Sequence, residues 1–211
     1  AGAANTEFTI NVASAGAIDL SSASTSAKGY AVTSTGTSAV TGSDDADALT
    51  NTSGNATFVG LAGIDTFTAT AGAMTISDLG AGGLADVVDL NDGTVAATAT
   101  GAWTASSSTD NAGADNTEFT IAVASAGAVD LTSAGVSAAG YTVTSTGTSA
   151  ITGSDDADAL TNTSGNTTYV GGDGIDTWVI TDGAVTISDL GVTGDVDIVD
   201  LNDGTVAATT T

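Results

Sequence analysis

In a chain of 211 residues, 25 acidic side chains stand against a single basic one, Lys28, for a formal net charge of −24, and His, Cys and Pro are absent. Without His, Cys or Arg there is no imidazole base, thiolate nucleophile, guanidinium clamp or zinc site, so the chain is not expected to be an enzyme. The charge repels nucleic-acid phosphates and anionic lipid, and no apolar run reaches the roughly 18 residues of a membrane span. No nucleic-acid partner and no membrane insertion are expected, and cations are the natural ligands.

A hydrophobic fraction of 41% and a mean hydropathy of +0.26 separate the sequence from acidic disordered chains. Thr, Val and Ile are abundant while Glu occurs twice and Lys once, which predicts an all-β fold with almost no helix.

In chain order, the first predicted elements are Phe8 to Val12, Ala17 to Leu20 and Tyr30 to Thr33. They alternate apolar and polar residues between Ser/Ala/Gly stretches and read as strands, less regularly coiled than the segment after them. From Val40 a finer rhythm begins: Val40, Leu49, Phe58, Phe67 and Ile76 are nine residues apart. A nine-residue period fits neither a helix nor a flat strand but suits a coil of short strands joined by tight turns, with one large side chain inward per half-turn. Val87 to Leu90, Asn91-Asp92-Gly93 and Thr94 to Ala96 then read as strand, tight turn, strand, with Asp92 a turn residue.

Gly101 to Asn111 is expected to be a linker, with Trp103 packing a domain junction, because the sequence then starts again. Residues 112 to 211 match residues 1 to 100 at 76 of 100 positions without a gap. The nine-residue series returns as Ile151, Leu160, Tyr169, Trp178 and Ile187. The expected architecture is therefore two tandem parallel β-roll or β-helix (solenoid) domains with additional strands: 1–100, a linker at 101–111, and a second copy at 112–211.

Gly171-Gly172-Asp173-Gly174-Ile175-Asp176-Thr177-Trp178-Val179 fits the nonapeptide pattern G-G-x-G-x-D-x-U-x at every fixed position. Gly42 to Thr50 and Gly153 to Thr161 keep the first Gly, the Asp and the apolar residue, and Gly60, Gly63 and Asp65 keep the pattern in the first copy. On these motifs the chain resembles the haemolysin-type calcium-binding repeats, called repeats-in-toxin, most of all the repeat regions of bacterial S-layer and surface-fibre proteins. In that family each nonapeptide makes half a turn, so loops 18 residues apart stack, as Asp47 and Asp65 (65 − 47 = 18) and Asp158 and Asp176 (176 − 158 = 18) would.

The resemblance implies Ca²⁺ held by carboxylates and turn carbonyls of Gly42, Asp45, Asp47, Gly60, Gly63 and Asp65 in the first copy. In the second it implies Gly153, Asp156, Asp158, Gly171, Asp173, Gly174 and Asp176. No calcium of this type is expected on the opposite edge, at Ser38, Ala56 and Met74 or Ser149, Thr167 and Val185. There Asn51, Asn55, Asn162 and Asn166 are expected to stack in hydrogen-bonded ladders with the threonines.

The resemblance further implies an extracellular location on a bacterial cell surface. The leading expectation is a structural, calcium-binding subunit or segment of a self-assembling layer or filament, whose partners are copies of itself in head-to-tail or lattice contacts. The stalk of a large calcium-dependent adhesin and the export region of a type I-secreted enzyme are the alternatives.

Overall fold

The computed structural model describes residues 8–23, 28–124, 126–135, 139–191 and 194–210. Residues 5–7, which open the first copy's repeat motif, lie outside them.

The first copy contributes β1 (Thr9–Val12), β2 (Ala17–Asp19), β3 (Ala31–Ser34), β4 (Ser38–Thr41), β5 (Ala48–Asn51) and β6 (Asn55–Val59). It continues with β7 (Thr66–Ala69), β8 (Ala73–Leu79), a single 3₁₀ turn at Ala81–Gly83, β9 (Val87–Leu90) and β10 (Thr94–Ala99). Residues 101–111 hold β11 (Ala102–Thr104) and β12 (Asp110–Asn111). The second copy runs through β13 (Phe119–Val123), β14 (Ala128–Asp130), β15 (Thr142–Ser145), β16 (Ser149–Thr152) and β17 (Ala159–Asn162). It closes with β18 (Asn166–Val170), β19 (Thr177–Ile180), β20 (Ala184–Ile187), β21 (Ile198–Leu201) and β22 (Thr205–Ala208).

These strands wind into a parallel β-solenoid. Successive strands go to opposite walls, so β9 and β10 are separated by a corner rather than paired with each other. One wall is a ten-stranded sheet, β2-β4-β6-β8-β10-β13-β15-β17-β19-β21, that runs through both copies. Facing it are two six-stranded sheets, β1-β3-β5-β7-β9-β12 and β11-β14-β16-β18-β20-β22. The strands upstream of Val40 belong to the same stack, with Thr9 opposite Ala31 and Ala17 opposite Ala39. Only their coil lengths vary: β1 to β3 advances 31 − 9 = 22 residues, β3 to β5 advances 17, and β5 to β7 advances 18.

The segment read as a linker is built into this stack. β12 pairs with β9, β11 with β14, and β10 directly with β13, Val95 standing opposite Phe119. Trp103 is buried there, and its indole N–H donates to the Asp86 carbonyl at 2.9 Å. Trp178, equally buried, leaves its indole N–H without a partner.

All ten residues of the nine-residue series are buried between the walls, from Val40 and Leu49 in the first copy to Trp178 and Ile187 in the second. Strand alternation sends every second side chain inward, and the stacked coils merge these rows into one continuous core.

The asparagines act differently from the expected ladders. Asn51 has Ser34 and Ala69 as its neighbours on the adjacent coils, because only one coil per copy carries Asn at that position. Its buried side-chain amide instead donates to the Ala71 carbonyl at 3.0 Å, and that of Asn162 donates to the Asp182 carbonyl at 2.6 Å. Asn55 and Asn166 are exposed. The threonines do bridge coils, through backbone: Thr52 and Thr163 hydroxyls each reach a carbonyl of the preceding coil at 3.0 Å.

Candidate functional site

The turns between β4 and β5, β6 and β7, β16 and β17, and β18 and β19 carry the nonapeptide motif. In each, the Asp side chain folds back under its own turn, and its Oδ2 lies against the Gly five residues earlier. A Cβ at Gly42, Gly60, Gly153 or Gly171 would overlap the Oδ2 of Asp47, Asp65, Asp158 or Asp176 respectively. This contact explains why the first Gly and the Asp of the motif occur together. The Gly at the fourth motif position plays a different part. Gly63 and Gly174 sit at φ 106° and 99°, a conformation that disfavours any other residue, pressed against the backbone at Asp45 and Asp156 one coil earlier.

The four aspartates are buried and joined in series. Asp47 Oδ1 accepts the Tyr30 N–H at 2.6 Å, and its Oδ2 accepts the Ser43 N–H at 2.6 Å. The Asp47 N–H donates to Asp65 Oδ1 at 2.8 Å, and the Asp65 N–H to Asp86 Oδ1 at 3.0 Å. The second copy repeats this, with Tyr141 and Ser154 N–H on Asp158, Asp158 N–H on Asp176 at 2.9 Å, and Asp176 N–H on Asp197 at 3.0 Å. The 18-residue stacking expected of Asp47 with Asp65 and of Asp158 with Asp176 is therefore a hydrogen-bonded ladder. Asp86 and Asp197 are its third rungs, capping Gly80 and Gly191 N–H through their Oδ2 atoms.

Asp45 and Asp156 lie beside the ladder rather than in it. Both are half-buried and donate their N–H groups to Ser43 and Ser154 Oγ, and each adds negative charge next to Asp47 or Asp158. Asp173 is exposed on the outside of its turn.

Burial is the dominant electrostatic effect on the rungs. It pushes the carboxyls of Asp65 and Asp176 up to about 8 from 3.8, against the pull of one backbone N–H and with help from neighbouring carboxylates. Asp158 is pushed up to about 7 by burial, opposed by the Ser154 and Tyr141 N–H groups. Asp47 and Asp86 are raised for the same first reason.

Two further carboxylates were missed by the sequence reading: Asp78 and Asp189. Each stands one coil above a turn glycine, 78 − 60 = 18 and 189 − 171 = 18, the same offset that links the rungs and the signal that could have found them. Asp78 uses both oxygens, accepting the Gly60 N–H at 2.9 Å and the Leu61 N–H at 2.8 Å. In the second copy Gly172 replaces Leu61, and only the Gly172 N–H reaches Asp189, through Oδ2 at 2.9 Å. Asp189 Oδ1 and Asp176 Oδ2 are left buried with no hydrogen-bond partner. Both carboxyls adjoin the Gly171–Gly172 turn, and the charge of Asp189 acts on Asp176.

A buried unpaired carboxylate oxygen requires either a proton or a cation. Calcium is an oxygen-seeking ion of six to eight ligands, and carboxylates beside a glycine turn are the donor type it takes. Among the described residues no group of three or more His, Cys, Asp or Glu side chains is drawn together as a metal shell, so turn carbonyls and water would have to complete the coordination. No helix among the described residues is long and apolar enough to cross a membrane. Comparison of the chain with family models, curated proteins and solved structures returns no match.

Proposed function

We propose that this chain is a non-enzymatic structural solenoid stabilised by calcium, a subunit or segment of a self-assembling bacterial extracellular layer or filament. The observation that carries the calcium reading is the pair of unpartnered, buried oxygens, Asp176 Oδ2 and Asp189 Oδ1, in a chain of net charge −24. Asp176 and Asp189 would hold the ion in the second copy, with Asp158 and Asp197 as the flanking rungs. Asp47, Asp65 and Asp86 form the corresponding ladder in the first copy. The bound cation supplies positive charge where the fold otherwise needs a proton. The chain's own contribution is the rigid stacking that keeps these carboxylates dry and at fixed offsets.

The assembly reading rests on the uninterrupted repeat. A rod whose two copies join wall to wall, and whose side chains include no His, Cys or Arg, is suited to bear load and to repeat. Thermal melts of the 211-residue chain in calcium and in excess chelator test the calcium part, with a higher Tm expected in calcium. Identical melting curves would remove it. Negative-stain microscopy in calcium tests the assembly part: ordered filaments or sheets support it, and dispersed single rods favour the adhesin stalk.

A further inference from the structure

Four Asp-Gly pairs occur in the chain: Asp92-Gly93, Asp173-Gly174, Asp182-Gly183 and Asp203-Gly204. In three of them the Gly lies in a tight turn between facing strands, at φ 92°, 93° and 95° for Gly93, Gly183 and Gly204. There its N–H donates to Oδ1 of the Asp just before it, at 2.7 Å, 2.6 Å and 2.7 Å in the same order. The peptide nitrogen is thus held against a carboxylate oxygen, one bond from the carboxyl carbon, and all three aspartates are exposed. Among the described residues Asp173, whose Gly174 belongs to a motif turn, makes no such bond.

Asp182 differs from the others in what holds its backbone carbonyl. The buried Asn162 side chain, one coil below, donates to that oxygen at 2.6 Å, and the Thr167 hydroxyl fixes the Asn162 amide by donating to its Oδ1 at 2.7 Å. The Asp182 carbonyl belongs to the same peptide group as the Gly183 nitrogen. When that nitrogen loses its proton, negative charge moves onto the carbonyl oxygen, where a donor already in place stabilises it. Among the described residues no side chain donates to the carbonyl of Asp92 or Asp203. The first copy keeps the donor without the carboxyl: Asn51 reaches the Ala71 carbonyl at 3.0 Å, Gly72 follows at φ 78°, and Ala71 is the counterpart of Asp182 by the offset of 111.

We infer that Asp182-Gly183 is a self-modification site, which closes to a succinimide and reopens as isoaspartate, with Asn162 as its positioning residue. The Gly183 nitrogen releases its proton to solvent and bonds Asp182 Cγ, while the hydroxyl of the protonated carboxyl leaves as water. One water then adds to either ring carbonyl. At Cγ it restores Asp182; at the backbone carbonyl carbon it reroutes the chain through Cβ. No other reactant enters, and the site depends on neither the calcium nor the assembly reading. The rerouted turn is longer by one methylene at the point where Gly183 rests on the Gly165 carbonyl and carries Gly204 on its own, so the second copy's tight-turn edge loosens with age.

The test is incubation of the 211-residue chain in mildly acid heavy-oxygen water, where an exposed carboxyl is partly protonated. Each passage through the ring leaves heavy oxygen on the residue, read by pepsin digestion and mass spectrometry. Asp182 should take up label about tenfold faster than Asp92 and Asp203, with Asp173 slowest. Asn162→Ala should bring Asp182 down to the rate of Asp92 and Asp203 and leave those two unchanged. Ala71→Asp works in the other direction: it supplies a carboxyl where Asn51 and Gly72 already stand, and position 71 should label at a rate near that of Asp182. Label at Asp182 no faster than at Asp173, or none at position 71 in folded Ala71→Asp, overturns the site. An Asp182 rate unchanged by Asn162→Ala, or a common rise at all four Asp-Gly pairs as from mere loosening of the fold, overturns the part given to Asn162.

Discussion

Replacing Asp176 by Asn tests the ladder's chemistry with opposite signs in two buffers. In the folded chain burial pushes this carboxyl up to about 8, from the 3.8 of an unburied Asp. Between those values the folded state holds a proton that the unfolded state has released, so stability falls as pH rises through the window and is highest at its acid end. About four pKa units at about 1.4 kcal/mol each bound the cost of ionising Asp176 inside the fold at roughly 6 kcal/mol. Water entry and relaxation reduce this, and we expect about 2 kcal/mol, which for a chain of this size is about 4–8 °C in Tm. In chelator at about pH 9, Asp176→Asn should therefore raise the Tm by that amount, while at about pH 5 it should change little. In calcium the sign reverses, because the variant lacks an anionic ligand and the wild type no longer buries an uncompensated charge. Circular dichroism melts of both proteins across pH, with and without calcium, give all four corners. A wild-type Tm in chelator that does not fall between the acid and alkaline limits would refute the buried-proton reasoning. A calcium response equal in wild type and variant would refute the assignment of Asp176 as a ligand.

The copies should also differ, because only in the second are carboxylate oxygens of this turn both buried and unpartnered: in calcium titrations followed by calorimetry, Asp189→Asn should weaken binding more than Asp78→Asn. Trp178→Ala removes one of the largest buried side chains and should destabilise the fold by about 3–5 kcal/mol in denaturant titrations. Asn162→Ala strips the donor from the Asp182 carbonyl and the acceptor from the Thr167 hydroxyl, and should cost about 1–3 kcal/mol by the same assay. Gly183→Ala should be worse than an ordinary surface exchange, since its Cβ would strike the Gly165 carbonyl of the coil below, and a Tm within a degree or so of wild type would contradict that stacking.

Much of the fold was legible because a solenoid repeats its physics. The nine-residue spacing of Leu49, Phe58 and Phe67 is the half-coil length, so a periodic row in the sequence is a column in the core. The 111-residue repeat located the copies but suggested a spacer at 101–111, where the chain instead builds β11 and β12. That stretch has no counterpart in either copy, so the repeat could not reveal that Trp103 and Asn111 are as buried as any core residue. The rungs Asp47, Asp65, Asp158 and Asp176 were visible from the motif, whereas Asp78 and Asp189 were not. They lie outside the nonapeptide phase and are tied to the site only through the coil beneath them. The asparagine reading failed for a related reason: it presumed like stacked on like, and the coils on either side place Ser34 and Ala69 beside Asn51.

The unbroken ten-stranded wall has a mechanical consequence. Its hydrogen bonds lie along the rod axis, so tension applied at the two ends pulls each terminal strand off its neighbour bond by bond and opens the stack by peeling, rather than by shearing a whole sheet at once. Each coil of 18 residues, the β5-to-β7 advance, releases roughly 60 Å of contour for the roughly 5 Å of rod it occupied. Because β10 and β13 join the copies by the same pairing that holds each copy together, the junction does not yield first, and the extension proceeds in many small, nearly equal steps. Such a rod would lengthen under a pull many times over before any part of it broke.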